Sequence, residues 1–390
     1  IIMEPVKYEL IKPKRLTHGE GNYFFGYYDI PAWNKRGTYH LCHKVDFWRR
    51  MPKEDDVAEI GMIDFEKSEY IKLGETTAWN FQQGAMLTWN PAAPDDEIIY
   101  NIRENNKYMS VILNIHTGEK RFLDYPLANV DPTGHYGLSI NFSRLFDFRP
   151  GYGYAGFTDP YYNDNHSKDD GIYLVDLKTG KGKQILSLEY LWEYSNKSLT
   201  EDKKIVINHI NFNTNGSRFV FLLRYFNKPK ERWGTAVITA NRDGTDLYTL
   251  YDYSVASHYY WVNEKELLIY ATHYDGLQLY IWEDKTNKAE IVDKDFFTSD
   301  GHCSISPDKN YILYDSYWDK DGYRNLYLYD IKNKKGVTLA TYYSYPELVV
   351  DIRCDFHPRW NREGNAITFD SIHEGQRHMY YMDLREIINK

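Results

Sequence analysis

The sequence predicts an all-β fold: a seven-bladed β-propeller of four-stranded antiparallel blades, closed by an N-terminal strand in the last blade. Three observations predict it. One order of strand, turn and strand recurs seven times, the recurrences average about 50 residues, and helical periodicity is almost absent. The clearest pair is His302-Cys-Ser-Ile-Ser-Pro-Asp-Lys-Asn with strands at 311–315 and 325–331, against His357-Pro-Arg-Trp-Asn-Arg-Glu-Gly-Asn with strands at 366–370 and 378–384.

The earlier units follow the same grammar, a first strand closing in a polar turn and then two more apolar strands. Asp29-Ile-Pro-Ala-Trp-Asn-Lys-Arg-Gly opens the first, Met86-Leu-Thr-Trp-Asn-Pro the second and Asn129-Val-Asp-Pro-Thr-Gly the third. His209-Ile-Asn-Phe-Asn-Thr-Asn-Gly opens the fourth and His258-Tyr-Tyr-Trp-Val-Asn-Glu the fifth. Short strands between Gly, Asn and Asp turns are what propeller blades look like in sequence. The blades are expected at 21–75, 80–126, 127–187, 205–254, 257–294, 299–344 and 349–384 of a single domain, 1–390. The stretch 6–15 is the expected closing strand, since closure removes exposed sheet edges. Helical pieces are expected only at 188–194 and 384–389. The longest insertion, 146–170, lies in the third unit, and a charged loop spans 46–56. Loops this long are usually functional.

Composition sets the class. The chain has 390 residues with 47 basic and 56 acidic side chains, so a net charge of −9 makes it a poor non-specific partner for nucleic acid. At 42% hydrophobic it can build a large core, and 37 Tyr and 10 Trp suit strands as well as sugar-binding surfaces. No run of 18 apolar residues is present, so no membrane span is expected. Three cysteines without a CxxC pair fit a reducing compartment, and the chain is expected to be cytoplasmic. Ile1 and Ile2 ahead of Met3 are also compatible with a removed export signal. No P-loop, GxGxxG, GxSxG or CxxC array occurs, which sets aside phosphate-loop chemistry, serine hydrolysis on the α/β-hydrolase plan and finger-type zinc.

In a propeller the starts of the innermost strands and the loops between second and third strands meet at one mouth, where pockets form. The innermost starts bring Tyr28, Gln83, His209, His258, His302 and His357. One such histidine is ordinarily a satisfied core residue, but four at corresponding places suit metal ligation or general acid/base work. The loops add Arg144, Arg149, Arg224, Arg232, Arg324 and Arg377, with Arg353 and Arg359 beside His357. Guanidinium groups bind carboxylates bidentately, so the expected ligand is acidic, unless carboxylates such as Asp355 or Asp370 already occupy these arginines. Tyr225, Tyr259, Tyr260, Tyr317 and Trp318 add rings that could stack on sugars, which points to a uronate-containing glycan.

His258, His302-Cys-Ser-Ile-Ser-Pro-Asp and His357-Pro-Arg-Trp-Asn-Arg-Glu-Gly together resemble the seven-bladed oligogalacturonate lyases and related WD40-like, TolB-like propellers. The resemblance implies that His258 is the base, that Arg224 assists it, and that His302 and His357 hold a divalent metal, typically manganese; calcium is the alternative ion. Two departures stand out: Cys354 occupies the place expected of a glutamine ligand, and Arg359 that of a further histidine.

The expected function is therefore β-elimination on an acidic oligosaccharide or polysaccharide. Arg224 or Arg359, or the metal, would neutralise the uronate carboxylate, His258 would take the α-proton, and His209 or Tyr225 would protonate the leaving oxygen. Arg144, Arg353, Arg359, Gln83, Tyr28, Tyr317 and Trp318 are the expected substrate contacts. Two rivals stand beside this reading: a non-catalytic glycan-binding or assembly propeller, and a glycoside hydrolase using carboxylates among Asp29, Asp315 and Asp370.

Overall fold

The computed structural model describes residues 3–199, 202–226, 233–348 and 350–388; Arg232 and Asn389 fall outside them. Among these residues the strands form seven antiparallel sheets, laid down in chain order except where N-terminal strands join the sixth and seventh, the architecture of a seven-bladed β-propeller. The first sheet contains Asn22–Phe24, Tyr39–Val45, Ala58–Asp64 and Glu69–Thr76. The sixth contains Cys303–Ile305, Tyr311–Asp315, Tyr323–Asp330 and Lys335–Tyr343. The seventh has only three strands of its own, Arg359–Trp360, Ala366–Ser371 and His378–Asp383.

Lys14–Arg15 supplies the seventh sheet's missing fourth strand, with Lys14 opposite Tyr381 and Arg15 opposite Tyr380. The closing segment is split, however. Val6–Glu9 adds a fifth strand to the sixth sheet, with Tyr8 opposite Thr341, where one strand through 6–15 was expected. Both pairings cover backbone edges that would otherwise be open to other chains.

The repeated turn has a common chemistry. Asn34 Oδ1 accepts the backbone N–H groups of Thr38 and Tyr39, each at 2.8 Å. Asn361 Oδ1 accepts those of Asn365 and Ala366 at 3.0 and 3.1 Å, and Ser306 Oγ accepts that of Tyr311 at 3.0 Å. A short polar side chain bonding forward to the backbone pins the turn between first and second strands. Gly364, at φ +73°, takes the left-handed position this turn needs. The Trp-Asn-x-x-Gly pattern thus marks turns, which is why it recurs where no chemistry is expected.

By its internal contacts the chain divides into two compact units, one of 1–89, 258–260 and 293–390, the other of 90–257 and 261–292. The first has a core of Leu313, Leu326, Leu339, Phe356, Phe369 and Tyr380 with their neighbours. Tyr342 lies in this core, its ring stacked 4.0 Å from His373 and 5.9 Å from Phe369. The second has a core of Ile99, Ile112, Leu123, Leu127, Val175 and Leu177. Strand faces alternate toward these cores, and rings such as Phe356, Phe369 and Tyr380 are spent on packing there. The expected helical pieces are present as Leu188–Ser195 and Arg385–Ile388; Phe142–Phe148, just ahead of and into the insertion, is a third helix, where none was expected.

His43 illustrates how tightly the first unit is wired. Its Nδ1 is 2.7 Å from Phe25 O and its Nε2 accepts the Ala85 N–H at 3.0 Å, so the ring must be neutral. Burial pushes its pKa down to about 4 from an ordinary 6.5. His373 and His378 are also pushed to about 4 by burial. Between 6.5 and about 4 the unfolded chain binds protons that these folded histidines refuse, so stability is full above 6.5 and falls as pH drops through that window. Thermal unfolding midpoints should therefore begin to fall below pH 6.5, before ordinary carboxylates titrate. A profile that stays flat until carboxylates protonate would contradict this wiring.

Candidate active site

In the sixth and seventh blades the same order, Asp-x-His, leads into the innermost strand: Asp300-Gly301-His302 and Asp355-Phe356-His357. Gly301 is there for close approach, because a Cβ on it would lie 2.0 Å from the Asp315 carbonyl oxygen. His302 is then gripped by Asp315, which accepts its backbone N–H at 2.7 Å and faces Nδ1 with both oxygens at 3.0 Å. Burial would lower the His302 pKa, but the charge of Asp315 and its hydrogen bond outweigh it and raise the group above its ordinary value.

His258 lies against this pair, its ring 4.1 Å from that of His302. It is buried, and burial holds its pKa below the ordinary value against the opposing charge of Asp300. Its Nδ1 is 3.0 Å from Asp300 Oδ1, so Nδ1 carries the proton and donates it to the carboxylate. Nε2 therefore keeps a lone pair, and 3.4 Å from it stands the hydroxyl of half-buried Tyr317. A neutral imidazole with one nitrogen fixed by a carboxylate and the other facing a hydroxyl is a competent general base.

His302, Asp355 and His357 offer ligand atoms that all lie within 4.8 Å of one another. The Nε2 atoms of His302 and His357 have no hydrogen bond among the described residues, and lie 3.8 and 3.7 Å from Asp355 Oδ2. His357 takes a left-handed φ of +41°, and burial with the His302 charge pushes its pKa well below the ordinary value. Two bare, buried imidazole nitrogens beside a carboxylate fit a first-row divalent ion. Asp315 behind His302 is the carboxylate that commonly orients such a ligand.

Two cations meet the same carboxylate. Arg353 Nε is 2.9 Å from Asp355 Oδ2, and Arg324 Nη1 is 2.6 Å from Oδ1. Burial would raise the Asp355 pKa, but the Arg324 and Arg353 charges hold it well below the usual carboxylate range. Arg324 is fully buried, and none of its guanidinium nitrogens completes a hydrogen bond among the described residues, its approach to Asp355 being off the bonding direction. Its guanidinium packs 4.9 Å from the Trp318 ring and 5.5 Å from that of Tyr317. Cation, base and hydroxyl therefore share one patch of the first unit.

With this geometry established, the chain can be set beside known proteins. Its sequence matches no protein-family model and no curated protein. Its fold is similar to that of an oligogalacturonate lyase solved in complex with manganese, at 15% identity and a TM-score of 0.71 over 99% of this chain and 96% of that one. An oligogalacturonate lyase from Vibrio parahaemolyticus is similar at 14% identity and 0.67, over 97% and 95%. The β-propeller domain of the Trilobed protease from Pyrococcus furiosus is similar at 10% and 0.52, over 94% and 96%. At these identities the likeness is one of fold: a seven-bladed propeller.

The other residues singled out from sequence lie elsewhere or are spent on structure. Arg144, expected to hold substrate, gives all its donors to the protein: Nε to Ile205 O, Nη1 to Asp159 and Tyr161 O, Nη2 to Asp164 O and Asn165 O, at 2.7–3.1 Å. It anchors the insertion whose Tyr152 and Tyr154 are buried packing residues. Arg359 bonds Thr368, His357 O and Asp370 at 2.8–3.0 Å, so each of its three guanidinium nitrogens is tied to the protein. Tyr28 donates to Tyr259 O at 2.8 Å and accepts the Tyr259 N–H at 3.2 Å, so it positions the strand of His258. Gln83 sits in a turn, its N–H on Asn80 Oδ1 at 2.8 Å. Cys354 packs with Leu348 and Ile372, and burial pushes its thiol up to about 11.

Arg224, His209 and Tyr225 belong to the second unit. Arg224 bonds Asn208, Thr235 and the Ala256 carbonyl, with Trp233 under its guanidinium at 5.8 Å. His209 sits at a bulge with φ +67°, edge-on to Tyr152 at 5.1 Å. Tyr225 lies 5.6 Å from Tyr253 and under Lys203. Asp300 and the part of Asp355 beside the two histidines were not read from sequence; the repeated Asp-x-His order is the signal that could have found them.

Proposed function

We propose that this chain is a lyase that cleaves a uronate-containing acidic glycan by β-elimination. The observation that carries the reading is His258, buried and neutral, with Asp300 on Nδ1 and its Nε2 facing the hydroxyl of Tyr317, whose ring packs against the Arg324 and Arg353 guanidiniums. Arg324 and Arg353 share the single carboxylate of Asp355, so one net positive charge is left to offset a uronate carboxylate and make its α-proton more acidic. His258 Nε2 takes that proton. Asp300 holds the imidazole in the required tautomer and stabilises the imidazolium formed. The hydrolase alternative needs two carboxylates free to act, yet Asp315 is engaged with His302, and Asp370 accepts the Phe25 N–H and pairs with Arg359 at 2.8 Å. The test is the ultraviolet band of an unsaturated uronate during incubation with uronate oligosaccharides; products that lack it would refute the reading.

A divalent ion, held by His302, Asp355 and His357, would act as a Lewis acid toward the carboxylate. Two imidazoles favour a first-row transition ion over calcium, which takes oxygen ligands, and the Asp355 carboxylate keeps manganese in that set. Added manganese should raise the thermal unfolding midpoint, and His302→Ala should abolish the rise. Asp315→Asn should weaken the ion's affinity by about 10- to 100-fold, as when a partner orienting a ligand is lost. A midpoint indifferent to the ion, or equally shifted in His302→Ala, would remove the ion from this site.

A further inference from the structure

We propose that Tyr317 is the proton donor to the leaving oxygen and works with His258 from one side of the sugar, so that the substrate is a uronate whose α-proton and leaving oxygen lie on the same face. The proposal rests on the lyase reading above. From sequence Tyr317 was only a surface on which a sugar could stack; its position gives it a different part. Its hydroxyl is 3.4 Å from the very nitrogen that takes the substrate proton. Its ring has the Arg324 guanidinium at 5.5 Å and that of Arg353 at 5.6 Å, cation–π contacts that hold the phenol in place beside His258.

The step balances within the protein. His258 Nε2 takes the α-proton, and the released electron pair forms the carbon–carbon double bond. The bond from the β carbon to the glycosidic oxygen breaks, and that oxygen takes the hydroxyl proton of Tyr317. The phenolate then recovers a proton from the imidazolium across the same contact, which returns both groups to their starting states with no co-reactant.

The spacing decides the stereochemistry. Groups that flank a sugar from opposite sides stand at least about 5 Å apart, as the carboxyl pairs of glycosidases do. An acceptor and a donor 3.4 Å apart can reach only one face. In hexuronates of the gluco and manno series the oxygen at the β carbon is equatorial and shares a face with the α-proton. In the galacto series it is axial and lies opposite. The structure thus points to gluco- or manno-configured uronates, although its fold is that of oligogalacturonate lyases.

The experiment follows unsaturated-product formation from glucuronate, mannuronate and galacturonate oligomers with the wild type and with Tyr317→Phe, which keeps the ring and its packing. The expected result is turnover of a gluco- or manno-configured chain, with kcat reduced roughly 10²- to 10⁴-fold and KM held in Tyr317→Phe. A substrate carrying a phenol-type leaving group, which needs no proton, should restore the variant to near wild-type turnover; a merely structural role would not allow that rescue. Preference for galacturonate chains, or an unimpaired Tyr317→Phe, overturns this proposal and leaves the lyase reading in place. Absence of product from every chain overturns both.

Discussion

His258→Ala should lower kcat by roughly 10²- to 10⁴-fold while KM and the far-ultraviolet spectrum stay as in the wild type. The size follows from the position: one buried imidazole, fixed at Nδ1 by Asp300, is the only histidine of the cluster whose Nε2 faces a hydroxyl rather than the Asp355 carboxylate. Removing it leaves Tyr28 and Tyr317 around a small gap, so the blade should hold. The measurement is steady-state kinetics on whichever uronate chain the wild type cleaves. A variant that keeps most of its turnover would show that the proton goes elsewhere.

The largest effect on stability should come from Arg144→Met. The guanidinium is fully buried beside Asp159, whose side chain is also fully buried, and it ties four carbonyls of the chain around it. Methionine fills the volume but leaves the carboxylate unpaired, which costs about 3–5 kcal/mol for a buried ion pair broken on one side. Denaturant unfolding should show the loss, and protease should cut within 146–170 faster than in the wild type. An unchanged midpoint would mean that the insertion is held by its aromatic packing alone.

These two residues also show what could be read from the sequence. The blades were legible because each closes its first turn with the same side-chain chemistry, as at Asn34, Ser306 and Asn361, and local chemistry leaves a local pattern. His258, His302 and His357 were legible because they occupy one place in successive copies. The partners were not, since Asp300 serves a histidine 42 positions earlier in the chain and Arg324 reaches Asp355 from another blade. The arginines misled for the same reason. A guanidinium near the expected mouth reads alike whether it points at a ligand or, like Arg144 and Arg359, is consumed by carbonyls and carboxylates. The closing strand divided because Val6–Glu9 found an open edge on the sixth sheet before the chain reached the seventh.

The most direct test of the elimination chemistry is to digest an acidic oligosaccharide in water enriched in heavy oxygen and weigh the products. Elimination predicts that one fragment of each pair is an unsaturated uronate lighter by one water than the hydrolysis product, and that its partner, quenched before its anomeric oxygen exchanges, carries no solvent oxygen. Heavy oxygen at the new reducing end, with no unsaturated partner, would contradict it and make the protein a hydrolase.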